Sequence, residues 1–181
     1  MEKDIKKVLI NYEQIKNRCQ ELGSRINEDY KNSTPIILGL LKGSIPFMAE
    51  MLKNINVYCQ TEYMAVSSYH GGTSSTGEVR IIKDLDVSIK NRDIIIVEDI
   101  VDTGLTLTTI IELLLHRGAR SVEVCTLLDK KEGRKPGYEL NPKYIGFDCP
   151  NEFVVGFGLD YEELYRNLPY VGVLKEEVYK K

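Results

Sequence analysis

The chain alternates between apolar runs of strand length and segments whose apolar residues recur at helical spacing. Residues 35–41 and 93–99 are continuous apolar runs, which are typical of strands buried on both faces, and residues 121–129 predict a further strand. Residues 45–54 and 103–119 carry helical patterns between them. Alternating strands and helices favour right-handed crossovers and parallel pairing. We therefore predict an α/β fold with a central, mostly parallel sheet flanked by helices on both faces.

The amino-terminal part predicts a strand followed by a capped helix. Residues 6–10 have strand character, and Asn11 is followed three residues later by Gln14, which together form a capping-box pattern. Alternating polarity at residues 55–66 predicts a further strand, and residues 79–85 predict another.

The last forty residues contain short apolar runs and no long helical pattern. Strands are predicted at residues 143–149, 153–158 and 170–174. We expect these segments to form a small flap, or hood, beside the sheet. The chain is then a single domain over residues 1–181, with a core at about 33–142 and a hood built from the amino-terminal segment and about 143–181.

Composition excludes several classes of protein. The 181 residues carry a formal net charge of −3, whereas a dedicated nucleic-acid binder needs clustered positive charge. The apolar runs are too short to span a bilayer, and the amino terminus has no apolar signal-peptide core, so we expect a cytoplasmic protein. The four cysteines form no C-x-x-C pair and the two histidines have no ligand-like spacing, which favours free thiols over a zinc site.

The stretch "VEDIVDTGLT" (97–106) joins a buried strand to a predicted helix. Ligands bind at the carboxyl ends of strands in open α/β sheets, and a helix amino terminus favours an anion. Gly104 allows close backbone approach, while Thr103 and Thr106 add hydroxyl donors. This half of the stretch predicts a phosphate cradle, although it matches neither the G-x-x-x-x-G-K-[ST] nor the G-x-G-x-x-G pattern.

Three carboxylates, Glu98, Asp99 and Asp102, lie beside this predicted cradle. One interpretation is structural, with Asp102 as a helix cap and Glu98 and Asp99 as solvated strand-end charges. The functional interpretation is that they hold Mg²⁺ or accept hydrogen bonds from sugar hydroxyls, and that one acts as a base. Two adjacent acids at the end of so apolar a strand are unfavourable unless a cation or hydroxyl groups satisfy them, which favours the functional interpretation.

The same stretch resembles the phosphoribosyl-pyrophosphate (PRPP) binding motif of type I phosphoribosyltransferases. An Asp at the position of Asp102 is the feature by which the stretch resembles the 6-oxopurine branch of that family. Other segments match the hypoxanthine-guanine phosphoribosyltransferase family in order and rough spacing, over about residues 36–174. They are "LLKGS" (40–44), "SSYHGGTSSTGEV" (67–79), "LLDKK" (127–131), "GYELNPKYIGFDCPNEFVVGFGLDY" (137–161) and "YR" (165–166).

The resemblance implies roles for the central stretch. Glu98 and Asp99 face the ribose hydroxyls of PRPP and its magnesium, and Asp102 is the general base that takes the purine imidazole proton. The 5′-phosphate is wrapped by residues 103–106, which are Thr103, Gly104, Leu105 and Thr106. Some relatives carry Lys where Leu105 stands, but backbone donation from this position survives the difference.

Three residues match the family's purine-binding positions. Lys130 matches the lysine that donates to O6, and a cationic donor physically favours a 6-oxo over a 6-amino group. Phe153 matches the aromatic that stacks on the base, although an aromatic at a strand start alone would be predicted as core. Val154 matches the residue whose backbone pairs with the base edge.

The leaving-group side is implied by resemblance alone. Leu41, Lys42 and Gly43 match a pyrophosphate-binding loop with a non-proline cis peptide bond, and Arg166 matches a pyrophosphate-binding arginine. Asp160 matches the carboxylate of a second magnesium site. Glu98, Asp99 and Asp160 are thus the predicted metal ligands.

A Gly-, Ser- and Thr-rich segment at residues 67–78 has the composition of a mobile loop. Ser68 and Tyr69 match the dyad of the family's lid, which closes over the reacting centre. A lid is physically reasonable because water would compete with the purine for the ribosyl cation.

The resemblance implies a purine salvage enzyme that uses Mg²⁺. PRPP reacts with hypoxanthine or guanine to give IMP or GMP and pyrophosphate, and the assembly is a homodimer or homotetramer. Two alternatives stay open: a xanthine-guanine phosphoribosyltransferase, and a regulator that keeps the fold but binds nucleic acid. No basic helix-turn-helix segment precedes the fold, which disfavours the regulator.

Overall fold

The computed structural model describes residues 1–68, 79–138 and 140–180. Its larger sheet has six strands in the order β4-β3-β2-β5-β6-β7, and neighbouring strands from β3 to β7 run parallel, while β4 is antiparallel to β3. The strands are β2 (Ile36–Leu41), β3 (Gln60–Ser68), β4 (Val79–Lys83), β5 (Asp93–Val101), β6 (Ser121–Asp129) and β7 (Tyr144–Asp148). This mostly parallel sheet confirms the predicted α/β class.

Helices cover both faces of this sheet, and the side chains of β5 show the division. Ile95 and Val97 belong to the core cluster that also contains residues of α1 (Tyr12–Asp29) and α2 (Ile45–Leu52). Ile94 and Ile96 belong to the cluster that contains residues of α3 (Leu105–His116). Because successive strand residues point to opposite faces, a continuous apolar run supplies both cores.

The smaller sheet has three antiparallel strands in the order β1-β9-β8, formed by β1 (Ile5–Ile10), β8 (Val154–Val155) and β9 (Val171–Leu174). A short helix, α4 (Glu176–Tyr179), follows β9. Val154, Val171 and Val173 join the α1 and α2 side of the core. Strand β1, near the amino terminus, therefore pairs with β9, near the carboxyl terminus, in a sheet separate from the large one.

The start of α1 has the predicted capping box. The Asn11 side chain accepts from the Gln14 backbone N–H at 2.9 Å, and the Gln14 side chain accepts from the Asn11 N–H at 2.9 Å. Gly118, which the sequence predicts to end the helix at residues 103–119, has a φ of +90°, and its lack of a Cβ allows this conformation.

The strand predicted at residues 55–66 begins later than its alternation suggests, at Gln60. Asn27 holds the preceding segment in a turn, because its amide donates to the Asn54 carbonyl at 3.0 Å and accepts from the Asn56 N–H at 2.7 Å. A helix residue distant in sequence sets this boundary, so the local pattern could not reveal it.

The segment near residue 143, where the hood was expected to begin, first forms β7 at the edge of the large sheet. Cys125 pairs with Tyr144 and Asp129 with Asp148 in parallel register. Tyr144 is fully buried, so this edge carries core side chains, and the chain enters the smaller sheet only at β8.

No helix among the described residues is long and apolar enough to cross a membrane.

Candidate active site

Three chain segments leave the large sheet side by side at the carboxyl edge of its central strands. β2 and β5 pair as far as Gly39 and Val97, and β5 and β6 pair as far as Val101 and Asp129. The loops that follow these strands must therefore start as neighbours. This register brings the predicted pyrophosphate loop, residues 98–102 (the acidic stretch) and the predicted purine lysine to one edge.

The first of two adjoining cavities, the α3 cavity, has a volume of about 290 Å³. Its lining comprises the β2 end, part of β3, the acidic stretch and the start of α3: Leu40, Leu41, Val66, Glu98, Ile100, Val101, Asp102, Thr103, Gly104, Thr106 and Leu107. Gly104 caps α3 with a φ of +79°, and a Cβ there would lie 2.8 Å from the Tyr138 carbonyl oxygen. First-turn amides of a helix have no intrahelical acceptors, so this cavity suits an anion.

The second cavity, the Phe153 cavity, has a volume of about 230 Å³ and shares two lining residues with the first, Ile100 and Asp102. Its lining combines the acidic stretch, the β6 loop and the smaller sheet: Asp99, Ile100, Asp102, Lys130, Glu152, Phe153, Val154, Leu159 and Asp160. Asp102 thus lies at the junction between a cavity formed by the start of α3 and a cavity walled by an aromatic ring.

The adjacent carboxyl groups of Glu98 and Asp99 are buried, which is energetically unfavourable for their charged forms. Glu98 Oε2 is buried and has no hydrogen-bond partner among the described residues. Burial is the main reason that the pKa of Glu98 is well above its ordinary value, and the neighbouring Asp99 raises it further. Burial also raises the pKa of Asp99, opposed by the Ile100 N–H, which donates to Asp99 Oδ1 at 2.8 Å.

The pyrophosphate loop predicted by resemblance packs directly on this acid pair. The peptide bond between Leu41 and Lys42 is cis, as the resemblance implies. Gly43 lies against Asp99 so closely that a Cβ on Gly43 would overlap the Asp99 carboxylate. A Cβ on Gly158 would in turn overlap the Gly43 carbonyl oxygen. Small residues therefore allow the β2 loop to fit between β5 and the smaller-sheet segment.

Lys42 and Arg166, the two cations predicted on the leaving-group side, share one carboxylate. Glu163 Oε2 lies 2.7 Å from Lys42 Nζ, and Glu163 Oε1 lies 3.3 Å from Arg166 Nη2. Arg166 also contacts Asp160 Oδ1 at 2.9 Å and donates to the Gly158 carbonyl at 2.8 Å. The nearby Lys42 lowers the pKa of Glu163. Of these charges, Asp160 also lines the Phe153 cavity.

Phe153 is 37% exposed, so its environment favours a binding wall over the core position that its sequence context alone suggested. Tyr179 of α4 stacks on it with ring centroids 4.7 Å apart, and Tyr161 packs edge-on at 5.6 Å. The neighbouring Val154 is buried and pairs with Val173, which fixes its backbone in the smaller sheet. The ring is therefore held by the carboxyl-terminal segment.

Several described residues with predicted roles line neither cavity: Lys42, Gly43, Leu105 and Arg166. For Leu105 the predicted role is through its backbone N–H alone. Of the predicted lid dyad, Ser68 ends β3, and Tyr69 lies outside the described residues.

Sequence reasoning missed Ile100, Arg134 and Tyr179. Ile100 lies between the predicted acids and could have been inferred from its position at the strand end. Arg134 contacts backbone carbonyls of the acidic stretch and of the β6 loop. Its location in a polar loop gave no signal, and neither did the terminal position of Tyr179.

The carboxylate oxygens at the end of β5 fit a hard divalent cation that would be bound jointly by these carboxylates and by substrate phosphates. Glu98 and Asp99 offer carboxylate oxygens, one of them buried without a partner. Within the described part of the chain, no group of three or more His, Cys, Asp or Glu side chains could hold a metal ion. Mg²⁺ commonly binds through one or two carboxylates plus substrate phosphates, which matches this sparse set.

Comparisons with known proteins agree with the geometry. The phosphoribosyl transferase domain family matches residues 11–162. A hypoxanthine-guanine phosphoribosyltransferase from Lactococcus lactis is 58% identical, with 100% of this chain and 97% of the relative covered. One from Staphylococcus epidermidis is 55% identical, with 100% of both covered. A crystal structure of a hypoxanthine phosphoribosyltransferase from Staphylococcus aureus has a TM-score of 0.95 at 52% identity, covering 100% of this chain and 97% of that one.

Glu98→Gln should stabilise the protein at alkaline pH in buffer without divalent cations. Because the folded-state pKa of Glu98 is raised, the folded protein favours the protonated carboxyl, and wild-type stability falls as pH rises towards that pKa. Glutamine keeps the neutral form at every pH. The gain in free energy of unfolding, measured by urea denaturation, should be larger at pH 8 than at pH 5. Glu112→Gln, an exposed change on α3, is the control, and an equal gain at both pH values would contradict the expectation.

Proposed function

We propose that the protein transfers 5-phosphoribosyl from PRPP to N9 of hypoxanthine or guanine. The premise is that the chain belongs to the phosphoribosyl transferase domain family and is a phosphoribosyltransferase enzyme. The products are IMP or GMP and pyrophosphate, which makes it a purine salvage enzyme. One observation carries the proposal: Asp102 lines both the α3 cavity and the Phe153 cavity. A sugar phosphate and a flat base bound in the two cavities would meet at this carboxylate.

The 5′-phosphate of PRPP binds at the start of α3. The helix dipole and first-turn amides favour the phosphate, and Gly104 allows the backbone to approach it. Thr103 and Thr106 supply hydroxyl groups, while Leu105 contributes its backbone N–H. The half-buried environment of this turn strengthens these interactions relative to water.

The ribose lies over Glu98 and Asp99. Their carboxylates accept hydrogen bonds from the 2′- and 3′-hydroxyls, which supplies the partner that Glu98 Oε2 lacks among the described residues. Mg²⁺ bound by these carboxylates and by PRPP would neutralise charge on pyrophosphate and stabilise its departure. Glu98 and Asp99 also stabilise positive charge as it develops on the ribose ring.

The purine lies against Phe153 in the second cavity, with Ile100 as a further apolar wall. Lys130 donates to O6, and the Val154 backbone pairs with the base edge. Asp102 accepts the proton from the imidazole nitrogen while N9 attacks C1′ of the ribose. A general base of this kind typically contributes about 10²–10⁴-fold to the rate.

The leaving pyrophosphate binds on the opposite side of the ribose. Backbone groups of Leu41, Lys42 and Gly43 donate to it, and Arg166 adds a positive charge. Asp160 is proposed to hold a second Mg²⁺, for which it would exchange its contact with Arg166. The orphaned Arg166 Nε, which has no partner among the described residues, supports an acceptor arriving here.

Ser68 and Tyr69 are proposed to belong to a lid that closes over the ribose and excludes water from its cation. We also propose a cytoplasmic location and a homodimeric or homotetrameric assembly. Full-length similarity to bacterial hypoxanthine-guanine phosphoribosyltransferases supports these expectations.

Nucleotide formation from single purine bases tests the function. The purified protein is incubated with PRPP and Mg²⁺ and, separately, with hypoxanthine, guanine, xanthine or adenine. Hypoxanthine and guanine should yield IMP, GMP and stoichiometric pyrophosphate, whereas adenine should not react, because its 6-amino group is a poor partner for Lys130. Preferential use of xanthine would favour a xanthine-guanine enzyme, and no reaction with any 6-oxopurine would reject the proposal.

Asp102→Asn should lower kcat by about 10²–10⁴-fold, because the amide cannot accept the purine proton. PRPP binding, measured by calorimetry, should stay within about threefold, since the phosphate cradle is unchanged. Asp86→Asn, an exposed change outside both cavities, is the control and should preserve turnover. Wild-type turnover by Asp102→Asn would remove Asp102 from the role of base.

Glu163→Gln should tighten inhibition by pyrophosphate, because it releases Lys42 and Arg166 from an internal anion. Exposed ion pairs are weak, so we expect a change of about two- to fivefold in the inhibition constant, shrinking at high salt. Glu162→Gln is a matched control: Glu162 is the adjacent residue and also has a positive φ, 52° against 64° for Glu163. Equal effects of both substitutions would contradict the assignment.

A further inference from the structure

Arg134 lies in the loop after β6 and is almost completely buried, with its side chain 11% exposed. Its guanidinium donates to three carbonyl groups at the carboxyl edge of the large sheet. Nη1 lies 2.6 Å from the Val101 oxygen, 2.7 Å from the Asp102 oxygen and 3.3 Å from the Lys130 oxygen. Nε donates to the Leu140 oxygen at 3.3 Å, and Nη2 pairs with the Asp129 carboxylate.

These contacts join two loops that carry different chemistry. Val101 is the last residue of β5 and Asp102 follows it, whereas Lys130 begins the loop after β6. The Lys130 N–H adds a direct link, because it donates to the Val101 oxygen at 2.9 Å. One guanidinium therefore fixes the backbone of both Asp102 and Lys130, which are charged residues that line the Phe153 cavity.

We propose that Arg134 is a positioning residue that sets the separation between Asp102 and Lys130 for the purine ring. This inference rests on the proposed function. A fused purine is rigid, so the distance between its imidazole proton and its O6 is fixed. The base and the donor must match that distance, and a displacement of about 1 Å at a reacting group can lower the rate on the order of 10²-fold.

Arginine suits this task because its planar guanidinium presents five N–H donors in a fixed fork. Here the fork reaches acceptors on both loops and on Asp129 at once. Lysine would keep a positive charge for Asp129, but its single ammonium cannot reproduce the fork. Arg134→Lys therefore separates charge compensation from positioning.

Arg134 also stabilises the fold, since Asp129 has a side chain only 1% exposed and loses its main counter-charge without it. A control for this structural contribution is available in Arg18. Its guanidinium donates to the Gly146 and Ile145 oxygens at 2.8 and 2.9 Å and pairs with Glu21. None of these residues lines either cavity.

The test compares Arg134→Lys, Arg134→Met and Arg18→Met in steady-state kinetics at matched folded fractions. Arg134→Lys should lower kcat/KM for the purine at least about tenfold, while the dissociation constant of PRPP stays within about threefold. Arg134→Met should show the same division with a larger loss. Arg18→Met should keep wild-type values for both substrates. Wild-type purine kinetics in Arg134→Lys, or an equal loss for PRPP, would overturn the proposal.

Hydrogen–deuterium exchange gives a readout that does not depend on turnover. In Arg134→Lys, the amide of Lys130 and its neighbours at residues 129–134 should exchange faster than in wild type, and Arg18→Met should leave them unchanged. Unchanged exchange in Arg134→Lys would show that the loops are held without the fork and would overturn the inference. Absence of nucleotide formation by the wild-type protein would instead reject the proposed function, so the two failures are distinguishable.

Discussion

The site depends on the way β5 ends. The strand is buried on both faces as far as Val97 and then presents two adjacent carboxyl groups and, three residues later, Asp102. Glu98 keeps a buried oxygen without a partner among the described residues, and both acids have raised pKa values because of burial. Buried carboxylates without partners are energetically unfavourable, and hydroxyl groups or a cation would relieve that cost. This is the physical basis of the proposed ribose and Mg²⁺ site.

Other elements act by holding neighbouring groups against this strand end. Gly43 brings the β2 loop onto Asp99, Gly104 starts α3 beside Asp102, and Arg134 ties the β6 loop to the same residues. The smaller sheet closes the other side, with Phe153 supported by Tyr179. The residues with proposed roles thus come from three loops and the smaller sheet. They meet at one edge of the large sheet because the parallel register of β2, β5 and β6 makes the ends of these strands neighbours.

Local patterns were enough for much of this. Continuous apolar runs predicted β2 and β5, residues 121–129 predicted β6, the Asn11 box predicted the start of α1, and the 97–106 stretch predicted an anion site beside acids. Partners distant in sequence decided the rest. Asn27 sets the late start of β3, pairing with β6 draws β7 into the large sheet, and the contact between Lys42 and Glu163 joins loops far apart in sequence. Arg134 acts through backbone carbonyls, which leave no trace in sequence.

The central claim is that one ligand spans the α3 cavity and the Phe153 cavity across Asp102. A crystal structure with bound IMP tests it most directly. The account predicts the 5′-phosphate within hydrogen-bonding distance of backbone N–H groups at residues 103–106, with the base between Ile100 and Phe153 and its imidazole edge towards Asp102. A phosphate bound away from α3, or a base that does not touch Phe153, would contradict the account.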